Sequence, residues 1–310
     1  MNPDWRNAES IELVRSPAGT TGNRRYLVYV AASENAGVSQ AFLCSNPRTF
    51  DLAVRYYAQP GTHDPLYETA EYVLTGGLSK LHSAARFLQG QNLLDRYDGY
   101  LFLDGDIEFD CGDLDRLFAF TSAFHFDLAQ AALIAGSHSS WYVTGASRAF
   151  VCRETSFVEI MAPYFSRAAL KAVLPTFDQS ISGYGLDFAW PAILEGNRIG
   201  VVDQIGMRHI KRIDLLDGAF YRYLRSISVD PQAEQDMMLK RYGMSRFERP
   251  HDIAGYVMID EESRDQLLRV PLARVPRMLA SFMRWQDRPA IQVAKLFNSG
   301  KRIQLAKPLP

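Results

Sequence analysis

The sequence predicts an α/β protein, a mixed sheet flanked by helices with a helical appendage at its C-terminal end. Three observations carry that reading. Short, wholly apolar segments such as Tyr26–Ala32 and Tyr100–Leu103 fit strands buried on both faces. Helical stretches alternate with them, and a β–α–β order implies parallel pairing through a right-handed crossover. A chain of 310 residues, 47% hydrophobic and 22% charged, is long and apolar enough to bury a large core.

Residues 1–23 are polar and carry Pro17, Gly19 and Gly22, so they read as a flexible arm. Tyr26–Ala32 is the first strand and Phe50–Tyr57 the second, closed by Gln59-Pro-Gly61, with a helix near Val38–Asn46 between them. A short strand over Glu71–Leu74 leads through Thr75-Gly-Gly77 into an amphipathic helix from about Leu78 to Asp95. Tyr100–Leu103 follows and ends in acid. Asp113–Phe124 reads as a helix, Leu128–Leu133 and Ser140–Thr144 as strands, and Phe157–Val173 as helical with a break at Pro163. Gly200–Asp203 is the last strand expected. Beyond about Ile213 the pattern becomes helical pieces separated by Pro231, Pro250, Pro271, Pro276 and Pro289.

Charge and cysteine usage exclude several classes. Lys and Arg total 34 against 35 Asp and Glu, a net charge of −1 without the basic excess of a nucleic-acid binder. Cys44, Cys111 and Cys152 are scattered without C-x-x-C spacing, which argues against a disulfide scaffold or zinc module and fits a reducing compartment. No apolar run opens the chain and none reaches membrane-spanning length, so a soluble cytoplasmic protein is expected. From Arg264 onward ten basic residues face two acids, leaving about +8 there and −9 elsewhere. Within that tail, Leu267–Trp285 mixes apolar residues with Arg. It reads either as a peripheral contact with anionic lipid at an inner membrane face or as a solvated or subunit-facing helix.

The chemistry concentrates at Asp104-Gly-Asp106. Ligands of open α/β sheets bind beyond the carboxyl ends of strands, and two carboxylates two residues apart can meet on one Mg²⁺ or Mn²⁺. A second block, Ser182-Gly-Tyr-Gly-Leu-Asp-Phe-Ala-Trp190, places an acid after a glycine–aromatic turn. Asp187 is either functional or a first-turn acid stabilised by the helix dipole. A third block runs from Ile199 through Asp203 to Arg208-His209. The other histidines (His63, His82, His125, His138, His251) read as structural.

In order, these blocks resemble the GT-A glycosyltransferase plan, a Rossmann-type mixed sheet. Phe126–Gln130, Ser140-Trp141, Phe157–Ser166, Gly183–Trp190 and Gly200–Asp203 with His209 resemble one family of GT-A glycosyltransferases without a settled activity. Its plant members carry the label lysine-ketoglutarate-reductase trans-splicing-related. The resemblance covers about residues 24–212 and implies a catalytic domain there, followed by a helical appendage over 213–310. It implies metal ligation by Asp106 and His209, with Asp104 reaching the Mn²⁺ or Mg²⁺ through water or meeting the donor ribose. It also implies a UDP- or GDP-linked sugar donor framed by Ala32, Ser33, Tyr57, Gly77 and Lys80. In this sequence Leu-Ser separates the glycines from Lys80. Asp187 becomes the base or acceptor-orienting group, and Trp141, Glu159 and Tyr184 face an unknown acceptor, a glycan or a lipid-linked molecule. Trp190 reads as a core aromatic or part of a stacking wall, and Glu159 as a site residue or a buried structural partner.

Two other functions fit the same residues. A nucleotidyltransferase would use Asp104 and Asp106 for two cations with a third carboxylate from Glu108 or Asp110. A non-catalytic scaffold on a degenerate transferase fold is the other, and retention of Asp104, Asp106, Asp187 and His209 together speaks against it.

Overall fold

A computed structural model describes residues 10–17, 24–32, 42, 48–57, 64–212, 218–245, 249–259, 264–272 and 301–310. Ser33, most of the helix expected near Val38–Asn46 and most of the basic tail lie outside them. Phe42, the one described residue of that helix, is buried in the core.

Four parallel strands form one half of the sheet: β2 (Tyr26–Ala32), β3 (Phe50–Tyr56), β4 (Tyr72–Gly76) and β5 (Gly99–Asp104), in spatial order β4-β3-β2-β5. Every residue of β2 and β3 is buried, as expected for apolar runs covered on both faces. Helix α1 (Pro65–Thr69) is capped by Asp64, whose side chain accepts from the Leu66 amide. Helix α2 (Lys80–Gly90) then crosses from β4 to β5. The sheet continues through β9 (Tyr164–Ser166), β7 (Leu128–Leu133) and β10 (Ile199–His209). Since β9 is antiparallel to both β5 and β7, and β10 is parallel to β7, β10 runs in the same direction as β5. Helix α3 (Asp113–Ala123) precedes β7, and α4 (Arg167–Val173) and α5 (Leu186–Ile193) lie between β9 and β10.

The predicted mixed α/β architecture is present, and several local readings change. Ile11–Arg15, expected in a flexible arm, is edge strand β1, antiparallel to β4. Ser140–Thr144 is not a strand; Tyr142–Thr144 forms a single 3₁₀ turn. Only Arg167–Val173 of the expected Phe157–Val173 helix is helical, because the stretch before Pro163 hydrogen-bonds along β5 instead. There Phe102 N donates to Pro163 O at 3.0 Å and Asp104 N to Met161 O at 2.9 Å. Two short strands, β6 (Ile107–Phe109) and β8 (Cys152–Thr155), add to those the sequence predicts.

The appendage expected to be helical is partly sheet. Helices α6 (Ala219–Ser226) and α7 (Pro231–Arg241) are followed by β11 (Asp252–Met258), β12 (Gln266–Pro271) and β13 (Lys301–Gln304). These strands extend the sheet past β8 by antiparallel pairing. The described start of the basic, apolar-rich tail, from Leu267, is thus a strand with Leu267 and Val270 buried rather than a lipid-facing helix. Cys111 is disulfide-bonded, a pairing that cysteine spacing did not signal, while Cys152 is free and buried. Among the described residues no helix is long and apolar enough to cross a membrane.

Candidate active site

Parallel register brings four strand ends to one edge. Ala31 lies opposite Asp104, Ala32 opposite Tyr56, and Tyr56 opposite Thr75, so β2, β3, β4 and β5 all deliver their carboxyl ends together. Gly105 is required at this tip. A Cβ there would sit 2.7 Å from the Ala31 carbonyl oxygen. The chain turns back as β6, which pairs antiparallel with the end of β10 and sets His209 opposite Ile107. Two segments about 100 residues apart in sequence thereby meet.

Asp106 and His209 form the centre. His209 Nε2 lies 3.3 Å from Asp106 Oδ2, and His209 Nδ1 lies 2.7 Å from the His138 carbonyl oxygen. A carbonyl only accepts, so Nδ1 carries a proton and Nε2 is the nitrogen offered to Asp106. Burial pulls the imidazole's pKa down, but the Asp106 hydrogen bond and the His138 carbonyl outweigh it and leave His209 raised. Burial pushes Asp106 up, and the His209 hydrogen bond and charge, with Lys211 behind them, bring it below its ordinary value.

The pair suits a cation. Metal-binding histidines donate their second nitrogen to a carbonyl or carboxylate, as His209 does. Adjacent ligands of an octahedral ion at about 2.1 Å stand roughly 3 Å apart, close to the separation found. Among the described residues no group of three or more His, Cys, Asp or Glu is gathered for an ion. The protein therefore offers two donors here, a set that fits a cation completing its shell with substrate phosphate and water.

Asp104 is differently engaged. Lys80 Nζ lies 2.8 Å from its Oδ1 and also donates to the Ile160 carbonyl at 2.6 Å and the Met161 carbonyl at 3.1 Å. An ammonium has three protons, and all three are used. Lys80, expected among the residues framing the donor, holds Asp104 and the segment beside β5. Burial lowers its pKa against the Asp104 attraction and raises that of Asp104 against the same partner.

The remaining expected residues divide by position. Tyr57 is 47% exposed beyond the end of β3, its ring 3.9 Å from the Arg55 guanidinium carbon and its phenol within the field of Asp104. Ala32 is buried at the end of β2, and its carbonyl accepts from the Tyr57 amide. Gly77 is left-handed, at φ +76°, and a Cβ would meet that of Ser83 at 2.7 Å. Its carbonyl is taken by buried Arg55, which also holds the Gly76 carbonyl at 2.6 Å. Gly77 therefore shapes the turn, with its carbonyl already occupied.

Glu159 is buried, accepting from the Ser140 amide at 3.2 Å and from the Thr144 hydroxyl, while its amide donates to Gln130 Oε1. It is a hydrogen-bonded structural partner whose charge reaches His209 on one side and Asp187 on the other. Asp187 is half-buried in the first turn of α5, where the Phe188 amide donates to it at 3.1 Å. Burial, and then the Glu159 charge, push its carboxyl up to about 8. Trp141 packs edge-on against Phe157 and Phe188, the residue after Asp187. Trp190 is wholly buried, its indole donating to Thr176 Oγ1, and belongs to the core. Asp203 is likewise structural, paired with buried Arg153 at 2.8 Å.

Several contributors carry no signal in the sequence. His138 supplies the carbonyl that orients His209. Tyr221 of α6 hydrogen-bonds the Tyr184 hydroxyl at 2.8 Å, and the Asp104 charge reaches its phenol. Glu234 of α7 holds the loop before Asp187. Tyr221 and Glu234 lie beyond residue 212, in helices whose polar residues look like ordinary surface. Glu108, the third carboxylate a two-cation reading would use, faces Arg208 at 3.7 Å instead.

The fold has solved neighbours. Over 69% of its length the chain is similar to a crystal structure of GalNAc-T7 with UDP, GalNAc and Mn²⁺, at 10% identity and a TM-score of 0.46. It spans 50% of that chain. It is also similar over 70% of its length to S. aureus TarS 1-349 in complex with UDP-GlcNAc, at 14% identity and a TM-score of 0.41, covering 71% of that chain. No protein-family model and no curated sequence matches, so the narrower likeness to the plant-labelled family has no sequence match behind it.

Proposed function

We propose that the chain is a GT-A-type glycosyltransferase that moves a sugar from a UDP- or GDP-linked donor to an acceptor hydroxyl beside Asp187. The observation that carries this reading is the Asp106–His209 pair at the shared strand edge, with His209 Nε2 at 3.3 Å and Nδ1 anchored on a carbonyl. Asp106 and His209 would hold Mn²⁺ or Mg²⁺ with the donor diphosphate. Bound there, the cation neutralises charge growing on the leaving group.

The chain's own residues divide the other tasks. Lys80 holds Asp104 in place for the ribose side of the donor, and Ala32 and Tyr57 border the position of the base. Asp187 takes the acceptor proton, a role that asks for a carboxylate with a pKa near the working pH. Its rise to about 8 supports that assignment. Trp141 and Tyr184 border the acceptor side, and Glu159 tunes Asp187 through its charge.

A thermal-shift panel of UDP- and GDP-sugars, with Mn²⁺ or with chelator, tests the reading, because a ligand bound only by the folded state raises stability. The expected result is a metal-dependent rise with one nucleotide series that Asp106→Ala abolishes and Asp187→Ala preserves. An equal response in chelator, or an unchanged one in Asp106→Ala, would contradict it.

A further inference from the structure

We propose that Glu234 is a positioning residue for the acceptor side of the site, its carboxylate setting the Ser180–Tyr184 loop so that Asp187 faces the acceptor. This inference rests on the transferase reading for its consequence and on geometry for its substance.

One side chain organises the loop. Glu234 Oε1 accepts from the Ile181 amide at 2.9 Å. Its Oε2 accepts from the Ser182 amide at 2.8 Å, the Ser182 hydroxyl at 2.5 Å and the Ser180 hydroxyl at 3.0 Å. Consecutive amides pointing at one carboxylate fix the local backbone, and charge-assisted bonds are the stronger kind. The Ser182 hydroxyl in turn accepts from the Tyr184 amide at 3.2 Å. The order reaches from Glu234 to Tyr184, three residues short of Asp187.

Neighbouring contacts agree in direction. Gly185, left-handed at φ +84°, lies so close to α7 that a Cβ would be 2.8 Å from that of Met238 and 3.1 Å from Gln235 Cα. Tyr242, just past α7, donates its hydroxyl to Gln179 Oε1 at 3.0 Å. On the other side a Cβ on Gly183 would strike Ile160 Cδ1 at 2.2 Å, so the loop is pressed between α7 and the segment carrying Glu159. Gly185 is needed because helix α7 leaves no room and Gly183 because its φ of +81° is left-handed, and Glu234 supplies the polar half of the grip. Helix α7 therefore shapes the loop before Asp187, which the preceding sheet does not reach.

The test compares the full-length protein with Glu234→Gln, which keeps size but loses the anion, and with Ser182→Ala, which removes one hydroxyl donor. Three quantities are read: amide hydrogen exchange over 178–187, affinity for UDP with Mn²⁺, and UDP release from UDP-GlcNAc. The proposal expects exchange over 178–187 to rise at least tenfold in Glu234→Gln, with β5 and β10 unchanged. UDP–Mn²⁺ affinity should stay within twofold of wild type while UDP release falls at least twentyfold at unchanged donor KM. Ser182→Ala should fall between the two. Unchanged exchange, or raised exchange with turnover within twofold of wild type, would overturn it. A wild-type protein that neither binds UDP–Mn²⁺ nor releases UDP would count against the transferase reading itself. The exchange result then decides alone whether Glu234 sets the loop.

Discussion

Asp187 holds its proton up to about pH 8 because burial removes water from the carboxyl and the Glu159 charge stands nearby. The sign of the consequence follows directly. Between the ordinary carboxyl pKa and about 8 the folded state binds a proton that the unfolded state has released, so this group's contribution to stability falls as pH rises through that window. Asp187→Asn should therefore raise the melting temperature at pH 9, on the order of 1–2 kcal/mol or roughly 2–6 °C, and leave it nearly unchanged at pH 4. Transfer should rise with pH toward a midpoint near 8, since only the ionised carboxylate accepts a proton, and Glu159→Gln should move that midpoint downward. A pH–rate profile with no limb between pH 6 and 9 would remove Asp187 as the base. Asp106 and His209 stand out singly in the sequence, as an acid at a strand tip and a late histidine, but their meeting depends on the pairing of β6 with the end of β10. The contacts of Lys80 and Gly77 have no such local signal. Whether an ammonium faces a ligand or two carbonyls depends on backbone brought from residues 160–161, which lies far away in sequence.

At the level of elements, the buried parallel strands are readable and the irregular ones are not. β2 and β7 have the boundaries their apolar runs predict, since a strand covered on both faces has no polar alternation to blur it. The stretch from Phe157 to Pro163 has helical spacing but spends its backbone groups on β5, a tertiary preference that local pattern does not carry. The segments of β11 and β12 look helical in sequence for the same reason, because β11 pairs with β8, about 100 residues earlier, and β12 is added onto β11. The tip between β5 and β6 has a sharp requirement of its own. Gly105→Ala would drive a Cβ against the Ala31 carbonyl, and overpacking of this kind costs about 1–3 kcal/mol. Chemical denaturation of that variant should show the loss together with weaker binding of UDP with Mn²⁺, as the turn that aims Asp106 shifts.

Among the described residues one sheet runs from β1 to β13, so the strands before residue 212 and the C-terminal strands β11, β12 and β13 share a framework. Arg153 pins them together. Its guanidinium, with no exposed surface, holds Asp203 at 2.8 Å, Asp252 of β11 at 2.7 Å and the carbonyls of Val143 and Gly145. Arg153→Ala would leave the buried Asp203 carboxylate without this cation, and breaking a buried pair in this way costs about 3–5 kcal/mol. Truncation after Arg212 should be harsher, exposing the β8 edge and removing the Glu234 grip, and should yield aggregated protein rather than a smaller active unit.

The meeting of Asp106 with His209 is most directly read by pulsed electron paramagnetic resonance of Mn²⁺ bound with UDP. A cation shared by the two side chains predicts a nitrogen hyperfine coupling that disappears in His209→Gln while weakened Mn²⁺ binding persists through Asp106. Tightly bound Mn²⁺ showing no nitrogen coupling in the wild-type protein would contradict it.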